Sequence, residues 1–303
     1  MRVLSLNNTA ISYTECVEKP MLTNGNNVLV KVCYAGICRT DIGIANGTIP
    51  AKDGVTLGHE FCGEIVAFFN AKDEMDGWTV GQTVGANPMA FGQAGDLMCG
   101  KDCDGAFADY IAVPSKALVG MAKHLLSPLG AFLEPVAAAL APLKYMKEVG
   151  GSKVCIFGDN RIAALTWQVC RTMGMKNVEL ISHLSELQKE YYDCIVETES
   201  QHINAYVEAL KPGGMLVLKS RSFTPIHIVP NEIAMKEIRI QGARYGDFHV
   251  ATHILSATAS GLQNTLDTDV LFGNVYELKD YRAAFAEAAM HGSRKIFFRL
   301  CVE

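Results

Sequence analysis

The hydrophobic pattern changes character once along the chain, near Ser127-Pro128. Before that point apolar residues fall in short β-rich runs separated by Gly, Asn, Asp and Pro. Residues 3–6 and 10–13 read as short opening strands, Asn24-Gly25-Asn26-Asn27 as a turn, and Val28–Tyr34 as a strand. Ala35-Gly36 breaks that strand, and Gly43, Gly47, Pro50 and Gly54 predict a loop leading round to Gly58-His59. Strand character returns over 61–69, continues through 78–92, and resumes after Asp104–Tyr110. This half predicts an irregular all-β domain with its chemistry at the turns.

After Ser127-Pro128, a helix-start signal, the texture becomes an alternation. The Ala-rich segment 131–149 predicts one helix ended by Gly150-Gly151, and Val154–Phe157 a short buried strand. Apolar positions at 162, 165, 169 and 173 share one face of a helix over 161–173. Strands follow at 178–181, 194–196 and 215–219, with helices at 185–191 and 203–210 between them. This spacing predicts an α/β fold with a doubly wound parallel sheet. The alternation ends after Gly242, and the remainder predicts helices near 249–260 and 280–290 with strands near 275–276 and 295–301.

Composition narrows the function more than the fold. With 303 residues the chain can form two domains, and 49% apolar with 19% charged residues is globular rather than disordered. A net charge of −5 without a basic run offers nothing to nucleic acid. No stretch approaches a membrane span, and residues 1–20 lack the layout of a signal peptide. Ten cysteines without paired spacing read as reduced thiols, which places the protein in the cytoplasm. Cys99 and Cys103 cannot close a four-ligand structural zinc site; free thiols are the expectation, a disulfide or the remnant of a metal lobe the alternatives.

Three separated pieces carry candidate metal chemistry: Gly36–Asp41 with Cys38, Gly58-His59-Glu60, and Glu134-Pro135. A catalytic zinc site takes three such ligands and keeps one position open. Each piece alone has a plainer reading. Cys38 could be a small buried residue, His59 and Glu60 a surface pair, and Glu134 a favourable charge at a helix start.

Together with Asp104–Tyr110, Leu133-Glu134-Pro135, the strand–turn–helix from Lys153, Lys211–Gly214 and Tyr281–Ile296, these pieces resemble the zinc-dependent medium-chain alcohol dehydrogenase family, including its sorbitol and threonine dehydrogenase branches. The resemblance implies a split GroES-like catalytic domain, 1–134 plus 245–303, around a Rossmann nucleotide-binding domain at 135–244. It implies one catalytic zinc on Cys38, His59 and Glu134, with Glu60 as an adjacent or transient ligand. Thr40 would relay the alcohol proton and Asp41 would hold the ring of His59. The structural-zinc lobe of the family is absent, and a homodimer is the expected assembly.

The nucleotide turn departs from the G-x-G-x-x-G pattern, placing Gly158, Asn160 and Ala163 at the three glycine positions, with Asp159 and Arg161 in the same turn. Asn160 puts a side chain where phosphate should lie; a left-handed backbone would let the turn survive. Ser182 and His183 stand where an acid usually meets the adenine ribose, which leans the cofactor toward NADP over NAD. By resemblance, Arg244 and Tyr245 lie in the stretch meeting the nicotinamide, and Lys295 or Arg39 would contact the pyrophosphate. The implied function is hydride transfer between NAD(P) and a small alcohol or carbonyl substrate. A zinc-free NADPH quinone or enone reductase and a catalytically silent nucleotide- or partner-binding member remain the alternatives.

Overall fold

The computed structural model describes residues 1–8, 10–70, 74–92, 97–150, 153–221, 225–290, 292 and 294–301. Gly151, half of the expected helix-ending pair, lies outside them. The chain forms two compact units, one of 1–135, 248–262 and 268–303, the other of 136–247 and 263–267. The second unit therefore runs on through 245–247, and 263–267 packs with it although the first unit flanks that segment on both sides.

The first unit is built on Val28–Gly36, whose alternating Val28, Val30 and Val32 are completely buried. This strand pairs antiparallel with Glu60–Phe68, Tyr110–Val113 and Lys295–Arg299, three segments far apart in sequence. The sheet extends through Phe272–Glu277 on one side and Thr83–Ala86 and Leu118–Gly120 on the other. Its core joins Leu4, Leu57, Phe91 and Phe107 from the early chain to Leu278, Ala284 and Phe298 from the last part. Phe107 and Phe298 meet edge to face at 5.1 Å.

The second unit is a five-stranded parallel sheet: Val154–Phe157, Val178–Ile181, Tyr192–Glu197, Leu210–Leu218 and Arg239–Gly242. Numbered along this unit, the spatial order is 2-1-3-4-5, a doubly wound order that reverses between the first and third strands. The helix Arg161–Thr172 follows the first strand and buries Ala163, Leu165 and Val169.

Four expectations need correction. The segment 131–149 is not one helix but Pro128–Ala131, Leu133–Leu140 and Leu143–Glu148, because Pro142 cannot continue the ladder. Only a single 3₁₀ turn, Leu184–Glu186, forms where 185–191 was read as helix. The region after Cys38 is not all loop; Arg39–Ala45 is a helix despite Gly43. Finally, the cysteines are not all reduced: Cys33 and Cys301 form a disulfide, while eight others, including Cys99 and Cys103, are free. Burial pushes the Cys103 thiol up to about 11.

Candidate active site

Val28–Gly36 delivers the chain to Cys38, which becomes the N-cap of the helix Arg39–Ala45. Asp41, in the first turn of that helix, reaches back so that its Oδ2 accepts from the Cys38 amide at 2.8 Å. Its Oδ1 accepts from the amide of Gly58 at 3.3 Å and lies 3.6 Å from His59 Nδ1. One fully buried carboxylate therefore ties the Cys38 turn to the His59 turn. Gly58 makes the second turn possible: its φ is +92°, and an added Cβ would stand 2.4 Å from the Phe107 ring.

Cys38, His59 and Glu60 converge, with one ligand atom from each lying within 4.8 Å of the others. His59 is 1% exposed and neither ring nitrogen has a hydrogen-bond partner. Leaving such a group unsatisfied costs about 1–3 kcal/mol. Burial opposes charging the imidazole, but Asp41 and Cys38 outweigh it and hold the His59 pKa well above its ordinary value. A thiol, an orphaned buried imidazole and a carboxylate make a donor set that suits zinc. Thr40 Oγ1 lies 3.8 Å from Cys38 Sγ, on the next turn of chain.

The carboxylates do not sit as the sequence reading had them. Glu60, not Glu134, completes the close cluster with Cys38 and His59. Glu134, in the first turn of Leu133–Leu140 and 7% exposed, acts on it from alongside: burial raises the Glu60 carboxyl pKa, Lys295 opposes and Glu134 adds to the rise. Lys295 is also displaced from its expected role. It is 1% exposed, and its ammonium pairs with Glu60 and donates to the Ile37 carbonyl at 2.9 Å. Sequence reasoning missed this pairing, since strand alternation says which face Lys295 takes but not what lies beneath it. Arg39, by contrast, is exposed on the first turn of its helix.

The second unit holds the expected nucleotide residues at the carboxyl end of its sheet. Gly158 follows the first strand with φ +142°, and an added Cβ would lie 2.1 Å from Thr198 Oγ1. Asp159 is exposed, and Arg161 begins the helix. Asn160 is not left-handed as anticipated: its φ is −153°, and it is the helix N-cap. Its Oδ1 accepts from the amides of Ile162 and Ala163 at 3.0 and 3.1 Å, and its Nδ2 donates to Thr198 Oγ1 at 2.8 Å. The turn is kept by capping chemistry rather than by backbone permissiveness. Ser182 and exposed His183 follow the second strand. Arg244 and Tyr245 follow the fifth, the guanidinium 5.9 Å from the Tyr245 ring centre, and the Arg244 carbonyl accepts from Lys219 Nζ at 2.8 Å. Glu199, which the sequence reading passed over, accepts from the Asp159 amide at 2.8 Å. An acid two residues beyond the third strand, at the switch point, was the available signal.

Comparison with known proteins bears on both units. Residues 24–123 match the alcohol dehydrogenase GroES-like domain. The chain is 31% identical over 189 residues to L-threonine 3-dehydrogenase of Stenotrophomonas maltophilia (strain K279a), covering 53% of this chain and 52% of that protein. It is 30% identical over 217 residues to sorbitol dehydrogenase of Halalkalibacterium halodurans, covering 65% and 62%. The chain thus spans about half the length of the first of these relatives and under two thirds of the second. In fold it is similar to 2R,3R-butanediol dehydrogenase of Bacillus subtilis, with a TM-score of 0.80 at 22% identity over 98% of this chain and 99% of that one. Among the described residues no helix is long and apolar enough to cross a membrane.

Proposed function

We propose that the chain is a member of the medium-chain alcohol dehydrogenase family and that it moves a hydride between NAD(P) and an alcohol or carbonyl substrate at a zinc centre on Cys38 and His59. The observation that carries the reading is the convergence of Cys38, His59 and Glu60 within 4.8 Å around a buried imidazole whose ring nitrogens have no hydrogen-bond partner. When bound, zinc supplies Lewis-acid polarisation of the substrate oxygen, and the nicotinamide supplies or takes the hydride.

The chain's own residues then have distinct tasks. Cys38 and His59 hold the metal, and Glu60 or Glu134 provides the carboxylate. Asp41 fixes the two ligand turns by accepting both their amides. Thr40, next to the thiol, takes the alcohol proton at its hydroxyl and passes it outward. Lys295 holds Glu60 by charge beside the other two ligands, where the carboxylate would be available to a bound metal. In this reading Gly158, Asp159, Asn160 and Arg161 meet the cofactor diphosphate, and Arg39 is the candidate for a further phosphate contact. Ser182 and His183, without a carboxylate between them, favour NADP, while Arg244 and Tyr245 lie toward the nicotinamide in this reading. The edge strand Arg239–Gly242, with Ile240 38% exposed, suits a homodimer, and the eight free thiols suit the cytoplasm.

Metal content of the purified protein is the deciding measurement. One zinc per chain is expected, falling to a small fraction in Cys38→Ser, with alcohol oxidation lost in parallel. A metal-free wild type that still binds nucleotide would replace this reading with the zinc-free quinone or enone reductase.

A further inference from the structure

We infer that Glu199 competes with the cofactor diphosphate and sets how tightly this chain holds a dinucleotide. The inference rests on the nucleotide assignment just made and adds to it the residue that opposes binding.

In a doubly wound sheet, ligands enter where the strand order reverses, here beyond the ends of Val154–Phe157 and Tyr192–Glu197. Phosphate is held there by free backbone amides at the start of the following helix. In this chain four amides of that turn already have partners. The Gly158 amide donates to the Ile181 carbonyl at 2.9 Å, and Asp159 donates to Glu199 Oε1 at 2.8 Å. Ile162 and Ala163 donate to Asn160 Oδ1. Asn160 is bridged in turn to Thr198 Oγ1, which donates to the Phe157 carbonyl at 2.8 Å.

The two occupants differ in kind. Asn160 is a neutral cap that most of the helix start needs. Glu199 is an acid, half-buried and outside any strand or helix, holding the amide of Asp159 in the turn itself. It bonds the backbone of another acid, Asp159, and lies two residues from buried Glu197. An incoming diphosphate meets this acid at its own donor and has to displace it.

Glu199→Gln keeps the acceptor and removes the charge; Glu199→Ala frees the amide as well. Each purified variant, checked by thermal melting for a native transition, is titrated with NADPH and with NADH by fluorescence. Binding three- to tenfold tighter than wild type is expected for both variants, on the order of one screened charge contact. Binding first seen in the variants would support the inference equally. A wild type that binds, with variants binding equally or more weakly, overturns the role of Glu199 and leaves the cofactor assignment intact. No binding by any of the three proteins overturns both.

Discussion

At His59 the two buried ring nitrogens are left without hydrogen-bond partners; at the glycine turn the amides of Gly158, Asp159, Ile162 and Ala163 are partnered by the chain itself. Both centres sit at turns after strands, and both use a side chain to fix the turn. In the first, Asp41 takes backbone amides and so leaves the imidazole free to bind something else. In the second, Asn160 and Glu199 take amides that a ligand would use. An unsatisfied buried group marks a place built for an absent partner, because its cost has to be offset by something. A satisfied one marks competition, and affinity there is a difference between two bound states.

The sharpest way to break this contrast is Asp41→Ala. It leaves the amides of Cys38 and Gly58 without their acceptor and lets the His59 ring turn, so zinc affinity should fall about 10- to 100-fold. Competitive titration against a chelator would measure it; unchanged affinity would mean the ligand turns hold themselves. A smaller effect is expected from Asn160→Ala, which removes the cap of Arg161–Thr172 and should lower stability by about 1 kcal/mol. Urea unfolding followed through the second unit would detect it, and no loss would show that the Thr198 side satisfies the turn alone. Smallest is Ser182→Asp, which restores an acid after the second strand and should shift preference toward NADH about threefold. Parallel titrations with the two cofactors would read this, and an equal response would remove Ser182 from the ribose position.

Much of this was legible in the chain. The alternation after residue 150 gives the parallel sheet because buried parallel strands and amphipathic helices have different periods. Cys38 and His59 could be named because each follows a glycine-marked turn. Glu60 and Glu134 could not be ranked, since which carboxylate approaches the thiol depends on how two distant turns are docked. The helix Arg39–Ala45 was hidden by the glycines around it, and its capping pair of Cys38 and Asp41 is an unusual one. The break at Pro142 was there to be read, and the Ala-rich composition on either side concealed it. Lys295 was assigned by position in a motif, whereas its burial follows from the strand beside it.

The pairing of Val28–Gly36 with Lys295–Arg299 has a consequence for how the protein is made. Domains fold as units during synthesis, from the amino end onward at about 5–20 residues per second. The second unit has its entire parallel sheet once residue 242 has emerged, and it can close while synthesis continues. The first unit cannot. Ile37 waits for the carbonyl of Ile296, and Glu60 for the ammonium of Lys295. Until Lys295–Arg299 has emerged from the ribosome, the thiol of Cys38 and the ring of His59 stand on an unfinished sheet.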